Sequence, residues 1–196
     1  RALEEGRTLS RSGERPKREV INYFAGLRYV EKNAAVETIR HDDVLELHRI
    51  LAGEVMDQGE AGRYRTMGVR VGDYLPPPAD AVSGLMFELL EWWNTAATKL
   101  SPVLSSAILH HRFESIHPFA DGNGRLARLL EKWFLAQIIG DRAWKIPSEA
   151  SYYLKREQYY KNLQIGKNYD EIKYSMSVPF LLMLPGAFSV SKKFYK

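Results

Sequence analysis

The chain of 196 residues carries 28 lysines and arginines against 24 aspartates and glutamates, a net charge of +4, with 45% hydrophobic and 27% charged residues. That length bounds one domain with room for a small appendage, and the composition is globular rather than disordered. The absence of cysteine excludes disulfide frameworks, thiolate nucleophiles and cysteine-ligated zinc. The longest apolar run, VPFLLMLPGAF at 178–188, is too short to cross a bilayer and is broken by Pro185-Gly186. No secretory pattern opens the sequence as given, so a cytoplasmic location without membrane association is expected.

An isoelectric point near 9.2 invites a nucleic-acid partner, so the location of the charge matters. Residues 1–18 hold six basic side chains against three acidic ones, and the final six residues hold Lys192, Lys193 and Lys196. The stretch between carries a net −2. Basicity confined to two ends is ordinary solvated charge, and no specific nucleic-acid partner is expected.

The pattern along the chain is helix after helix. A helix is predicted from about Pro16 to Ala35. The next begins behind His41-Asp42 and sets Val44, Leu47, His48, Leu51 and Val55 on one stripe, which makes His48 a core histidine rather than a ligand. Residues 59–78, GEAGRYRTMGVRVGDYLPPP, interrupt the pattern with four glycines and three prolines. The alternation Val69-Arg70-Val71 within them predicts a small β-hairpin flap. Val82, Leu85, Met86, Leu89, Leu90 and Trp93 mark the clearest amphipathic helix. A further helix from Ser101, with Pro102 at its first position, aligns Leu104, Ala107, Ile108 and His111. Leu126, Leu129, Leu130, Trp133 and Phe134 mark another, and a last helix is predicted from Ser148 to Leu163. The expected fold class is all-α. A basic N-terminal segment (1–15) precedes a catalytic domain (16–165), followed by an apolar and basic segment (166–196) that leaves self-association open.

Residues 117–128, HPFADGNGRLAR, lie between two of these helices and concentrate polar chemistry. Gly122 and Gly124 permit backbone angles in which successive N–H groups converge on an anion. A helix starting near Asn123 turns its positive dipole end to the same place. Arg125 and Arg128, three apart, can grip phosphate oxygens while the leucines face the core. Asp121 is a hard carboxylate suited to Mg²⁺, and His117 can take a proton near neutrality. A general base, a metal ligand, an anion cradle and two cations in twelve residues point to a phosphoryl-transfer site.

This segment resembles the signature of the Fic family, H-x-F-x-D/E-G-N-G-R-x-x-R, at every defined position: His117, Phe119, Asp121, Gly122, Asn123, Gly124, Arg125 and Arg128. HHRFESI before it, GRYR and PPP upstream and EQYYKNL downstream extend the likeness from about residue 16 to 165. The resemblance implies a Fic-like helical bundle that transfers AMP from ATP to a Ser, Thr or Tyr hydroxyl of a target protein, releasing pyrophosphate. His117 would be the base, Asp121 the Mg²⁺ ligand and Phe119 a buried anchor. The amides of Gly122, Asn123 and Gly124, with the Asn123 side chain, would hold phosphate oxygens, and Arg125 and Arg128 would neutralise the outer phosphates. Val69, Arg70, Val71 and Gly72 would align an extended target segment by strand addition. Tyr159 and Tyr160 would border the adenine. His110 and His111 lack the spacing of a zinc motif.

Many Fic proteins carry an inhibitory helix, S/T-x-x-x-E-G/N, whose glutamate pairs with the second motif arginine. LEEGRTLS at 3–10 resembles its end and makes Glu5 the candidate partner of Arg128, although Arg1 stands where the pattern has Ser or Thr. The rival Ser10–Glu14 has the spacing but is followed by Arg15. Two other readings compete: a Fic fold transferring a phosphoryl group or another nucleotide, or removing AMP, and a non-catalytic nucleotide-binding regulator. The intact GNGR run disfavours the phosphorylating Doc-type variant, and the intact His117 disfavours silence.

Overall fold

The structure, a computed structural model, describes residues 2–56 and 59–187, with side chains from residue 14 onward. The Glu5 and Ser10–Gly13 side chains and the three C-terminal lysines lie outside that description. Eight helices follow one another among the described residues: α1 (Ala2–Lys32), α2 (His41–Ala52), α3 (Val82–Thr95), α4 (Pro102–Ile116), α5 (Asn123–Ile139), α6 (Ser148–Leu154), α7 (Arg156–Leu163) and α8 (Val178–Leu181), with short 3₁₀ turns between some of them. None is long and apolar enough to cross a membrane.

Local chemistry sets several of these boundaries. At the start of α2 the Asp43 carboxylate accepts the Arg40 backbone N–H at 2.8 Å, while Asp42, Asp43 and Arg49 complement the helix dipole. Pro102 opens α4, where its missing N–H costs nothing. α5 begins behind Gly122, whose φ of +81° is a conformation that a side chain would strain.

Helices α4 and α5 pack along one another at the centre, α1 lies across α2 and α5, and α3 closes the other side of α4. The close approach of α1 depends on Gly26, where a Cβ would stand 2.6 Å from a Leu129 methyl and 3.2 Å from one of Leu51. The core they enclose includes Trp93, Phe113, Phe119, Trp133 and Phe134, all buried. Trp133 meets Tyr29 and Trp93 edge-on, with ring centres 5.6 and 6.4 Å away, and donates its indole N–H to the Asn33 carbonyl at 3.1 Å. Phe180 and Met183 of the C-terminal segment pack on Tyr152 and Tyr159, and Leu184 joins a second cluster beside Ala107 and Leu135.

The elements depart from sequence expectation in four places. α1 passes through Pro16 instead of starting there; proline's fixed φ is helical, so the ring forfeits one backbone bond without ending the helix. The stretch 148–163 forms two helices, because Lys155 leaves helical geometry at φ −113°, ψ 34°. In α4, Leu104 is exposed while Leu109, His110 and Phe113 are buried, since the helix is covered on several sides. The expected β-hairpin flap is absent: among the described residues 59–78 no strand forms. Val71 and Tyr74 exchange two backbone bonds of 3.0 Å around a turn at Gly72-Asp73, and Leu75 pairs instead with Lys167 and Tyr169. The segment is held to the helices from outside rather than by a ladder of its own.

Truncating Trp133→Ala removes the indole from the centre of this packing. A loss of about 3–5 kcal/mol in unfolding free energy is expected, measured by urea denaturation.

Candidate active site

The site begins where α4 ends. His117 takes the left-handed conformation (φ 49°, ψ 60°) and its N–H closes the helix on the Phe113 carbonyl at 2.9 Å. Stopping a helix this sharply leaves carbonyls without partners, and Arg65 collects them. Its guanidinium donates to the carbonyls of His117 (2.8 Å), Pro77 (2.6 Å), Met67 (3.0 Å) and Ile116 (3.4 Å), and its own backbone N–H bonds Pro118 (2.9 Å). This buried cation ties the 59–78 segment to the end of α4. Tyr74 adds a second tie by donating to the Ser115 carbonyl at 2.8 Å.

The loop that follows is fixed by two further polar side chains. Asn123 accepts the Phe119 N–H at 3.0 Å and donates to the Phe119 carbonyl at 2.8 Å. The amide oxygen and one N–H of the amide nitrogen are thus engaged on the loop, which leaves a second side-chain N–H beside the backbone N–H. His48 stacks on Phe119 with ring centres 3.7 Å apart and an 11° tilt. Its Nδ1 accepts the Gly62 N–H at 2.9 Å, so Nε2 carries the proton and donates to the Asp121 carbonyl at 3.0 Å. Burial pushes the His48 pKa down to about 4, so the ring is neutral.

The charged residues of the loop meet a stripe of α1. Arg15 pairs with Asp121 (3.3 Å), Glu19 with Arg125 (3.4 Å), and Tyr23 with Arg128, at a spacing of four along the helix. Arg125 also lies 3.6 Å from Asp121. Burial works against the Arg128 charge, but Tyr159, Tyr23 and Glu114 around it more than offset this and raise its pKa.

A cleft of about 280 Å³ opens between the loop, the turn at Val71–Tyr74 and α7. His117, Asp121, Gly122, Asn123, Gly124, Arg128, Tyr159 and Tyr160 all line it, as does Val71. A second hollow of about 560 Å³ lies between α1 and α6–α7; Arg125 faces this one, and Arg128, Tyr159 and Tyr160 border both. Val69, Arg70 and Gly72 border neither. Tyr160 is half exposed, whereas Tyr159 is buried with its hydroxyl 2.8 Å from His110 Nε2. His110 Nδ1 is 2.8 Å from a Glu131 oxygen that also accepts the Tyr152 hydroxyl at 2.7 Å. Burial drives both tyrosine hydroxyls well above their usual range, so they act as fixed walls and not as acids.

Among the described residues no group of three or more His, Asp or Glu side chains could enclose a metal. Mg²⁺ in nucleotide sites needs only one or two carboxylates beside the phosphates, and Asp121, on the cleft wall, suits that donor set.

Arg65, Glu114, Tyr23 and the loop-fixing role of His48 were not singled out by sequence. For Glu114 a signal existed, since a carboxylate three residues before His117 shares its helical turn. For Arg65 there was none, because its partners are carbonyls from other segments.

The model of the Fic/DOC family matches residues 38–135, and the chain belongs to that family. Among curated relatives, the protein adenylyltransferase fic-1 of Caenorhabditis elegans is 37% identical over 134 residues, covering 65% of this chain and 26% of its own. The protein adenylyltransferase Fic of Drosophila mojavensis is 33% identical over 154 residues, 78% of this chain and 29% of its own. The chain therefore spans less than a third of these relatives. Among solved structures, a Fic family protein from Desulfovibrio desulfuricans G20 superposes with a TM-score of 0.73 at 33% identity, over 91% of this chain and 53% of its own. The C. elegans Fic-1 structure covering its residues 134–508 gives a TM-score of 0.72 at 26% identity, over 92% and 51%.

The neutral His48 gives the fold a pH signature. Its ordinary value of 6.5 holds in the unfolded chain, while the folded value is about 4. Below 6.5 the unfolded chain takes up a proton that the folded one refuses, so stability is lost as pH falls toward 4. His111, also held near 4 by burial and by His110, adds to the slope. Urea midpoints measured across that window should decline less steeply in His48→Asn than in the wild type.

Proposed function

We propose that this chain is the catalytic unit of a protein adenylyltransferase that moves AMP from ATP to a hydroxyl side chain of a target protein. The observation that carries the reading is the convergence, on one cleft, of His117, the glycine turn at the N-terminus of α5, and Arg128. That set can accept a proton and hold a polyphosphate within a few ångströms. The names of the curated relatives support the same class.

In the proposed reaction a Ser, Thr or Tyr hydroxyl of the target gives its proton to His117. The oxygen attacks the α-phosphorus, a new P–O bond forms, and the bond between that phosphorus and the bridging oxygen of the β-phosphate breaks. Pyrophosphate leaves, and the proton passes from His117 to solvent. The backbone N–H groups of Gly122, Asn123 and Gly124 orient the phosphates, and Arg125 and Arg128 offset their charge. Asp121 would hold Mg²⁺, which when bound offsets charge on the α- and β-phosphates. Tyr160, at the cleft rim, and Tyr159 form the base-side wall. Along residues 69–72 an extended target segment would be aligned, with the backbone of Val69, Arg70 and Gly72 to add to, since Val71 is already bonded to Tyr74. Glu5, by its place in LEEG, would restrain the activity by pairing with Arg128.

Two experiments test this reading. With Mg²⁺ and ATP labelled at the α-phosphate, label is expected on protein, and His117→Ala should lower it by about 10²- to 10⁴-fold. Label that transfers only from the γ-phosphate would replace adenylyl transfer with phosphoryl transfer. Glu5→Gly is expected to raise self-labelling; an unchanged rate would remove Glu5 from the account.

A further inference from the structure

The last turn of α4 holds a carboxylate that the reaction as written does not use. Glu114 stands three residues before His117, and the side chains are only 11% and 17% exposed. One Glu114 oxygen, Oε2, is 3.6 Å from His117 Nδ1. That nitrogen and the other carboxylate oxygen, Oε1, are both buried without a hydrogen-bond partner. An unpartnered buried polar atom is costly, so the two groups gain by closing a gap already near bonding distance. Hydrogen bonds of catalytic pairs are commonly long before the ligand is in place.

The loop is shaped to admit this carboxylate. Unlike Gly122, Gly124 has no left-handed backbone angle to explain it. A Cβ there would stand 3.3 Å from Glu114 Oε1 and 3.6 Å from an Arg128 nitrogen. Glycine at 124 thus leaves room for Glu114 beneath the loop.

We infer that Glu114 is a positioning residue for His117, holding the imidazole proton on Nδ1 so that Nε2 presents its lone pair to the cleft. An ionised carboxylate can only accept, so the nitrogen facing it must carry the proton. Burial works to raise the Glu114 pKa, but His117, with His110 and Arg128 nearby, outweighs it and holds the carboxyl below its ordinary value. The same negative charge stabilises the imidazolium that forms when the target hydroxyl is deprotonated. The inference rests on the reading of His117 as the general base.

The test compares Glu114→Ala and the near-isosteric Glu114→Gln with the wild type. Two quantities are read: the tautomer of His117 from its side-chain ¹⁵N shifts, and the rate of labelling from α-labelled ATP as a function of ATP concentration. In Glu114→Ala the His117 proton should move from Nδ1 toward Nε2. The rate at saturating ATP should fall by about 10- to 100-fold, while the half-saturating ATP concentration does not rise. Glu114→Gln keeps an acceptor without the charge and should lose less rate. An unchanged tautomer in Glu114→Ala overturns the inference, as does an unchanged saturating rate with a raised half-saturation. Persistence of labelling in His117→Ala would overturn the general base instead, and the ¹⁵N shifts would still report on the pair.

Discussion

Between Ile116 and Asn123 the chain has six residues in which to end one helix and begin another that packs along it. A turn this tight, wedged against the core, strands backbone carbonyls where water cannot reach them all. The structure answers with three buried polar side chains drawn from three places: Arg65 on the carbonyls of 116 and 117, Asn123 on Phe119, and His48 on Asp121. Everything proposed for the site depends on that arrangement. It fixes the left-handed His117, the glycine turn and the first amides of α5 relative to one another before any ligand arrives. Organisation supplied in advance is what a reaction dominated by positioning and charge requires.

Charge at the site is already partly spoken for. The stripe Arg15, Glu19 and Tyr23 on α1 meets Asp121, Arg125 and Arg128 in turn. A polyphosphate bound as proposed would exchange with Glu19 at Arg125, an ion pair whose side chains are 17% and 33% exposed. Pairs so placed are modest in energy, so the exchange is within reach of a multiply charged ligand. The excess charge of the chain sits at its two ends, and from the N-terminal one Arg15 reaches Asp121 at the site.

The twelve residues from His117 to Arg128 were legible because their chemistry is contiguous: histidine, carboxylate, glycines and arginines follow within one short segment, and of these all but Arg125 line the cleft. The apolar stripes of α2, α3 and α5 were legible for the same reason, a period of 3.6 over a continuous stretch. What escaped was assembled from distant segments. Arg65 is one basic residue in a glycine-rich run until α4 supplies its carbonyl partners. His48 was placed correctly in the core, yet its hold on Asp121 spans 73 residues. The alternation Val69-Arg70-Val71 suggested a strand, but a strand needs a neighbour, and the backbone at Leu75 found Lys167 and Tyr169 instead. Asn123 was read for the fit of its amide to phosphate, and its hold on both backbone groups of Phe119 was not foreseen.

Arg128 stands in the wall between the two hollows, and one guanidinium cannot serve both sides fully. A group that engages it from the α1 side diminishes what remains for the cleft, and a phosphate drawn into the cleft does the reverse. Were both hollows to take ligands through Arg128, thermodynamic reciprocity would make the two occupancies antagonistic by the same factor in both directions. A single side chain shared in this way would couple the two hollows negatively, without hinge, subunit or moving loop.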